Sequence, residues 1–488
     1  MNQLSRRVVS LALVAVLAGL AAAGPAWGKA RIIRDDFGVP HVFAKKLGET
    51  FRAVGYATAQ DRLWQMELHR RTALGTLSEL PPEAGGGPGA VAGDVQARAL
   101  FGPKSFRQAE FARLSKETKK IFRAYRDGVN RWIDEAAATG QLPPEMQALG
   151  LVPRPWTTDD SVAWGTALLF NFGVAGETEL DYIANLDELI ARNGTTAGPA
   201  IFYDAHWAFD PTAPTTIPVS APPRARSGLT SVAQELPNLP AFDSKRAARA
   251  WKRAWEGWER NAKTIGLNKG PASNAIAVGK ELSATGYPIL LGGPQQGYSV
   301  PQINHEMGIH GGGFNVTGAA VAGLPGVTIG VNRGLAWTLT TGGTDNNDIM
   351  LEQLNSDGTQ YLYNGAFRPL DCRQEIFNVF GAGAVPQLLC RTVNGPLLAV
   401  QGAIAFSLKS ASRGNEIGSI EALLGVNKAR TIKKAERHLA SAGHNFNFLG
   451  ADTRGNIGYY HVGKIPIRAP GDSPFFPHIG DGQAEWLG

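Results

Sequence analysis

Ser273 is a candidate nucleophile because its hydroxyl lies where the composition and the predicted secondary structure of the chain change. It follows a proline-rich, basic stretch and opens a strand-rich half, within GPASNA at 270–275. A serine hydroxyl is a weak nucleophile at neutral pH unless a base lies within hydrogen-bond reach. Cleavage of the bond from Ala272 to Ser273 would create an α-amine with a pKa of about 7.7 to 8.0. Because that value is close to ambient pH, one residue could serve as both nucleophile and general base.

Other catalytic motifs are absent from the sequence. It contains no Gly-x-Ser-x-Gly elbow, no phosphate-binding loop and no dinucleotide-type glycine loop. His305 and His310 are five residues apart, so on a helix their imidazoles would diverge by roughly 140° and could not share a zinc ion. The two cysteines, Cys372 and Cys390, are too few for a cysteine-rich zinc site but could form one disulfide in an oxidising compartment.

The composition is that of a large globular protein. The chain has 488 residues, of which 43% are hydrophobic and 18% charged, which excludes wholesale disorder. The 59 glycines follow no three-residue period, which excludes collagen. The net charge of +6 is modest and mostly scattered, so we do not expect nucleic acid as a partner.

Residues 1–28 have the pattern of a secretory signal peptide. Arg6 and Arg7 precede an apolar run over 8–23, and Ala26-Trp27-Gly28 forms a small-x-small cleavage site. A membrane anchor is the alternative, but the run is shorter than the ~20 residues that a span needs. We therefore expect a periplasmic or secreted product with no membrane partner.

The spacing of the apolar residues divides the remaining chain into a mainly helical part and a mainly strand-forming part. Residues 31–44 are strand-like, whereas the spacing over 49–80, 105–137 and 158–169 is helical. The proline-rich stretch 211–228 is typical of an exposed linker. Short apolar runs separated by Gly, Pro and Asn turns predict strands from Asn274 onward.

A basic helix is predicted at 245–263. It carries Trp251, Trp255 and Trp258 at helical spacing, and we expect them to dock on the protein's own surface, with membrane binding as the alternative. The resulting organisation is a signal peptide (1–28), a helical region (29–210), a spacer (211–272) and a strand-rich region (273–488).

Long blocks of the sequence resemble the penicillin acylase family of N-terminal-nucleophile hydrolases, which includes acyl-homoserine lactone and cephalosporin acylases. The blocks include IIRDDFGVPHVFA, GYATAQDRLWQMELHRRTALGTLSEL, SNAIAVGK, GGPQQGY, GIHGGGFNVTGAAVAGLPGVTIGVNRGLAWTLTTGGTDNND and GDGQAEWLG. The resemblance implies an α+β fold with four αββα layers. It also implies a precursor that cuts itself between Ala272 and Ser273, giving a helical subunit and a strand-rich subunit that form a heterodimer.

The same resemblance implies roles for residues around Ser273. Thr341 falls where the family uses a backbone N–H to stabilise the oxyanion, and Gln295 falls where a residue helps to hold the serine; a turn residue is the alternative for Gln295. Gln296 and Ile329 occupy pocket positions that hold phenylalanine in phenylacetyl-cleaving members. An aliphatic acyl group is therefore as open as an aromatic one.

An acidic segment suggests a calcium ion. The run DNND at 345–348 is dense in oxygen atoms suited to a hard cation. The resemblance implies a structural Ca²⁺ held by Glu179, Asp345, Asp348 and the carbonyl of Asn347. A solvated acidic turn is the alternative.

The predicted function is hydrolysis of linear amides of N-acyl compounds, of the penicillin or N-acyl-homoserine-lactone type. Family members continue well beyond the block that resembles GDGQAEWLG, including an asparagine that completes their oxyanion hole. We therefore expect an incomplete fold and a truncated member. The alternative is a catalytically inactive exported protein that acts as a scaffold or binding protein.

Overall fold

Most helices lie in the first half of the chain. The structure is a computed structural model that describes residues 30–173, 178–206, 239–267, 273–469 and 472–488. The predicted helices at 49–80, 105–137 and 158–169 are confirmed, the second as two helices. The helices are α1 (Leu47–Leu74), α2 (Val91–Phe101), α3 (Lys104–Arg113), α4 (Lys116–Thr139), α5 (Pro144–Ala148), α6 (Thr158–Gly173), α7 (Glu179–Ala205), α8 (Ser244–Thr264), α9 (Gly418–Lys428) and α10 (Ile432–Leu439), with single 3-10 turns at Leu77–Glu79, Pro82–Ala84, Pro88–Ala90 and Lys280–Leu282.

Strands dominate the second half, as the sequence predicts. An eight-stranded sheet has the order β1-β2-β5-β6-β7-β8-β16-β17, a four-stranded sheet has the order β14-β15-β9-β18, and β3–β4, β10–β11 and β12–β13 form separate antiparallel pairs. The strands are β1 (Arg31–Arg34), β2 (Pro40–Phe43), β3 (Asn274–Val278), β4 (Ile289–Gly293), β5 (Asn304–Gly311), β6 (Phe314–Val321), β7 (Val327–Asn332), β8 (Leu335–Thr341), β9 (Asn347–Gln353), β10 (Gln360–Tyr363), β11 (Ala366–Pro369), β12 (Asp371–Val379), β13 (Gly383–Arg391), β14 (Leu397–Gln401), β15 (Ile404–Ser410), β16 (Phe446–Asp452), β17 (Ile457–Val462) and β18 (His478–Ile479).

The helical region is held together by close helix contacts. Helix α4 begins at an N-cap, Ser115, whose side chain accepts a hydrogen bond from a backbone N–H, and it ends at Gly140 in the left-handed conformation. A Cβ at Gly55 of α1 would lie 2.1 Å from the carbonyl oxygen of Tyr125 of α4. A Cβ at Gly128 would similarly lie 1.9 Å from the carbonyl oxygen of Arg52. Both glycines therefore permit a backbone approach that any larger residue would prevent.

Helices and the β3–β4 hairpin cover opposite faces of the eight-stranded sheet. On one face, Gly450 and Gly458 make room for Ile432 of α10. On the other, Gly292 of β4 lies so close to Thr338 of β8 that a Cβ would come within 2.4 Å of the threonine hydroxyl. Gly450 of β16 pairs with Trp337 of β8, and Thr338 is the next residue along β8. Because successive residues of a strand face opposite sides of the sheet, Gly450 and Thr338 mark the two faces. Around these residues the layers are therefore helix, sheet and strand pair, and the predicted α+β class is confirmed.

Helix α8 is a packed element. Trp251 and Trp258 are each 3% exposed and belong to the main hydrophobic core, so the prediction that they dock on the protein itself is confirmed. The helix contacts α2, α7 and β14. Helices α9 and α10 lie in the half for which the sequence analysis predicted only strands.

Several predictions fall on residues that the structure does not describe. The signal peptide at 1–28 and the linker at 211–228 lie outside the described residues, as does Ala272 at the predicted cleavage point. Within the described ranges, no helix has both the length and the apolar character needed to span a bilayer.

Candidate active site

The hairpin β3–β4 positions Ser273. Pairing of Asn274 with Gly293 places the residue before β3 beside the residues after β4. The backbone N–H of Gln295 donates to Ser273 Oγ over 3.1 Å. A Cβ at Gly293 would lie 2.5 Å from the Asn274 side-chain oxygen, so glycine permits this close pairing. The serine hydroxyl is thereby held at a defined place while its side chain stays partly exposed.

A cavity of about 260 Å³ adjoins Ser273. All five residues that the sequence analysis assigns to catalysis or to the pocket line it. They are Ser273, Gln295, Gln296, Ile329 and Thr341. The structure therefore brings together residues separated by as many as 68 positions, although it does not test their individual roles.

The cavity wall is largely apolar and draws on both halves of the chain. Helix α6 contributes Leu168, Leu169 and Phe172, and α9 contributes Ile420 and Leu423. The sheet adds further apolar side chains. These are Val321, Ile329, Leu339 and Phe446, and Ile303, just before β5, adds another. Among the described lining residues none is charged, so the cavity suits a neutral, mostly apolar group.

Asn447 is a site residue that the sequence analysis missed. Its amide nitrogen donates to the carbonyl oxygen of Thr341 over 2.9 Å, and its amide oxygen accepts from Tyr459 Oη over 2.7 Å. Asn447 also bonds His461 over 2.8 Å. The bond to Thr341 holds the end of β8 against β16, and the other two hold β16 against β17. No motif marks Asn447 in the sequence, because its role depends on the pairing of two distant strands.

The predicted calcium ligands also come together, but around a guanidinium group. Glu179 opens α7, and Asp345 and Asp348 lie between β8 and the first residues of β9. Arg468 lies 3.0 Å from an Asp345 oxygen and 2.6 Å from an Asp348 oxygen. Trp486 Nε1 donates to the other Asp348 oxygen over 2.5 Å.

Burial controls the ionisation of this acidic cluster, which consists of Glu179, Asp345 and Asp348. Burial raises the pKa of Glu179 well above its usual range, and the two aspartates raise it further. Burial raises the pKa of Asp345 to about 6, although Arg468 opposes the change. Glu179 Oε2 and Asp345 Oδ1 are buried and have no hydrogen-bond partner among the described residues. These oxygens are suitable calcium ligands by type, yet no set of three or more His, Cys, Asp or Glu in the described ranges has the geometry of a metal site.

The predicted cysteine pair and the two histidines that the sequence analysis rejected as a zinc site lie elsewhere. Cys372 and Cys390 form a disulfide that joins β12 to β13 across from one another. His305 and His310 lie on strand β5 rather than on a helix, and His310 Nε2 lies 3.2 Å from His41 Nδ1 of β2. Neither feature lines the cavity beside Ser273.

The chain is similar to known proteins over most of its length. A family model described as penicillin amidase matches residues 29–488. The chain is 32% identical to penicillin G acylase of Escherichia coli over 481 residues, which cover 94% of this chain and 56% of that protein. It is 27% identical to the acyl-homoserine lactone acylase QuiP of Pseudomonas aeruginosa, over 94% of this chain and 52% of that one.

A solved structure is also similar. It is the thermostable penicillin G acylase from Alcaligenes faecalis, with 34% identity and a TM-score of 0.43 over 44% of this chain and 39% of that chain. The chain spans about half the length of the curated relatives it matches.

Proposed function

Because the chain belongs to the penicillin amidase family, we propose that it hydrolyses linear amide bonds of N-acyl compounds, with Ser273 as the N-terminal nucleophile. The observation that carries this proposal is the position of Ser273 Oγ, which accepts a 3.1 Å hydrogen bond from Gln295 beside a neutral, largely apolar cavity. The names of the relatives indicate penicillins and N-acyl-homoserine lactones as substrate classes.

The proposed chemistry needs the free amine of Ser273. As Oγ attacks the acyl carbon, the α-amine takes the hydroxyl proton, directly or through a water molecule. The oxyanion then accepts a hydrogen bond from the backbone N–H of Thr341; loss of one such donor typically costs about 10²- to 10³-fold in rate. The tetrahedral intermediate expels the amine, which receives the proton, and a water molecule releases the acid by the same two steps. The apolar cavity holds the acyl group throughout.

Two accompanying proposals concern the setting of this chemistry. The N-terminal signal pattern supports export to the periplasm or beyond, where the disulfide between Cys372 and Cys390 would persist. The acidic cluster supports a structural Ca²⁺ that joins α7 of the helical half to the start of β9, in competition with Arg468 for the same oxygens.

Self-cleavage is the direct test of the role of Ser273. The purified chain, incubated at pH 7 to 8, is expected to split between Ala272 and Ser273 and to give two fragments by intact mass spectrometry. Ser273→Ala should remain whole and should lose hydrolysis by roughly 10⁴-fold or more, because the nucleophile is gone.

Ser283→Ala is the matched control. Ser283 is a partly exposed residue of the connection in the same hairpin and does not line the cavity, so this variant should split and hydrolyse as the wild type does. Hydrolysis of an acyl amide by wild-type protein that remains uncut would contradict the proposal. An uncut and inactive wild-type chain would instead favour the scaffold alternative.

A further inference from the structure

A pair of amide side chains interrupts the apolar wall of the cavity. Asn304 Nδ2 donates to Gln296 Oε1 over 2.7 Å, and both residues line the cavity together with Ser273. Gln296 follows β4, and Asn304 is the first residue of β5. Both side chains are partly buried. We refer to Gln296 and Asn304 as the amide pair.

The amide pair retains hydrogen-bonding capacity. A primary amide carries two N–H donors and one acceptor oxygen. The bond between the two residues uses one N–H of Asn304 and one lone pair of Gln296. Within the described part of the chain, the Gln296 amide nitrogen and the Asn304 amide oxygen have no other recorded partner. Reversal of both amides would leave the same inventory, namely one amino group and one carbonyl oxygen.

The position of the pair relates it to the reacting bond. Gln296 directly follows Gln295, whose backbone N–H is 3.1 Å from Ser273 Oγ, and adjacent Cα atoms are only about 3.8 Å apart. The amide pair lines the same cavity as Ser273 and Gln295, so an acyl group held in that cavity lies against it.

The cavity wall would interact differently with four kinds of acyl group. A plain hydrocarbon would cover the amide pair without replacing its bonds to water, which is unfavourable for buried polar groups. A carboxylate would be desolvated in a cavity whose described lining residues include no cation. A hydroxyl can accept from the Gln296 amino group and donate to the Asn304 oxygen, whereas a ketone carbonyl can only accept.

We infer that this site, given the hydrolase function proposed above, prefers neutral acyl groups that carry a hydroxyl, or less favourably a carbonyl oxygen, where the acyl group lies against the amide pair. The amide pair is the specificity determinant, and the apolar wall holds the rest of the acyl group. The cavity, at about 260 Å³, is larger than the roughly 150 Å³ cavities that admit benzene, so a ring or a medium chain fits beyond the substituent.

A matched substrate series tests the inference. The self-cleaved wild-type enzyme is assayed with octanoyl, 3-oxooctanoyl, 2-hydroxyoctanoyl and 3-hydroxyoctanoyl amides of one fluorogenic amine, and with the octanedioyl monoamide. We expect kcat/KM to be at least about tenfold higher for the better hydroxyacyl amide than for the octanoyl amide, because only the hydroxyl group replaces the hydrogen bonds that the amide pair loses to water. The effect is limited because the two amides already bond each other. The octanedioyl monoamide should be the poorest substrate.

Variants assign the preference to the amide pair. Gln296→Leu with Asn304→Leu should raise kcat/KM for the octanoyl amide and remove the preference for the hydroxyl group. Asn193→Leu makes the same chemical change on the exposed surface of α7 and should keep the preference. Intact mass is measured for each variant, so that loss of self-cleavage is not mistaken for a change of specificity.

The possible outcomes separate the two proposals. Equal or better hydrolysis of the octanoyl amide by wild-type enzyme, or a hydroxyl preference that survives in the doubly substituted variant, overturns the assignment of the amide pair. Failure of the cleaved wild-type enzyme to hydrolyse any member of the series would count against the proposed hydrolase function itself.

Discussion

At the scale of single residues, the acidic cluster of Glu179, Asp345 and Asp348 carries more potential negative charge than its neighbour neutralises. Arg468 supplies one positive charge against three carboxyl groups. Burial and mutual repulsion raise the pKa of Glu179 and of Asp345, and Arg468 opposes the rise at Asp345. Another basic neighbour is His478, whose Nε2 lies 3.8 Å from an Asp348 oxygen and whose pKa is lowered by burial. A divalent cation would relieve both effects.

Calcium is therefore expected to stabilise the fold in a manner that depends on pH. Binding requires ionised carboxylates. Since the pKa of Asp345 is about 6, the stabilisation should be larger at pH 8 than at pH 5. At a hundredfold excess of free Ca²⁺ over Kd the gain would be about 2.7 kcal/mol. The measurement is the melting temperature with Ca²⁺ or with EDTA at both pH values.

The control for the calcium prediction is a second aspartate. Asp345→Asn should abolish the difference between Ca²⁺ and EDTA, whereas Asp357→Asn, in an exposed turn, should preserve it. A wild-type melting temperature that is the same with Ca²⁺ and with EDTA at pH 8 would show that Arg468 alone balances the cluster.

The residues of the site differ in how far the sequence could predict them. Ser273 is marked by the change from a proline-rich stretch to predicted strands, and Ser273, Gln295 and Thr341 all lie in blocks that resemble a family. Asn447 could not be predicted in this way, because it bonds Thr341 from 106 positions away and only the pairing of β16 with β8 brings them together. The amide pair was half predicted: Gln296 was assigned to the pocket, but its bond to Asn304 depends on the path of the loop between β4 and β5.

At the scale of elements, α8 shows why composition alone gives an incomplete picture of the predicted spacer. The proline-rich stretch 211–228 is typical of an exposed linker, yet α8, in the same predicted spacer, contacts α2 closely. A Cβ at Gly257 would lie 2.8 Å from the backbone nitrogen of Gly93 of α2. Trp258 packs edge-on against Phe101 at 5.1 Å, and its backbone N–H donates to Gln96. The apolar face of the helix, and not its net charge, determines its place.

Removal of the buried tryptophan should therefore destabilise the uncut chain. Trp258→Ala is expected to cost about 3–5 kcal/mol, the usual range for loss of a large buried aromatic side chain. Trp255→Ala, on a partly exposed position one turn earlier, should cost less. Chemical denaturation of the Ser273→Ala background, which prevents cleavage, gives both values. Equal and small losses would indicate that α8 is only loosely attached.

The regular elements were largely predictable because their periodicity is strong. Helix α1 and the strands β7 and β8 appear where apolar spacing places them. Helices α9 and α10 were not predicted, since each is short and lies among glycine-rich turns and strands. Their position is fixed by tertiary contact, as where Ile432 fills the space beside Gly450 and Gly458.

At the scale of the whole molecule, the helical and strand-rich halves share a buried acidic contact. Glu110 of α3 is 2% exposed and Glu416, just before α9, is 5% exposed. The backbone N–H of Glu416 donates to Glu110 Oε1 over 3.0 Å. Burial, together with the neighbouring carboxyl group of Glu416, raises the pKa of Glu110 to about 9. Glu110 is therefore protonated at neutral pH in the folded protein.

This protonation makes the contact between the halves sensitive to pH. In the unfolded chain Glu110 titrates near 4.5, so between about pH 4.5 and 9 the folded state holds an extra proton and its stability falls as the pH rises. Glu110→Gln keeps the acceptor oxygen but cannot ionise, so it should be more stable than wild type at pH 8 and should show a flatter slope of unfolding free energy against pH. Glu117→Gln, which removes an exposed partner of Lys428, should retain the wild-type slope. Parallel slopes for Glu110→Gln and wild type, measured by denaturant titration across this range, would show that Glu110 is ionised in the folded protein.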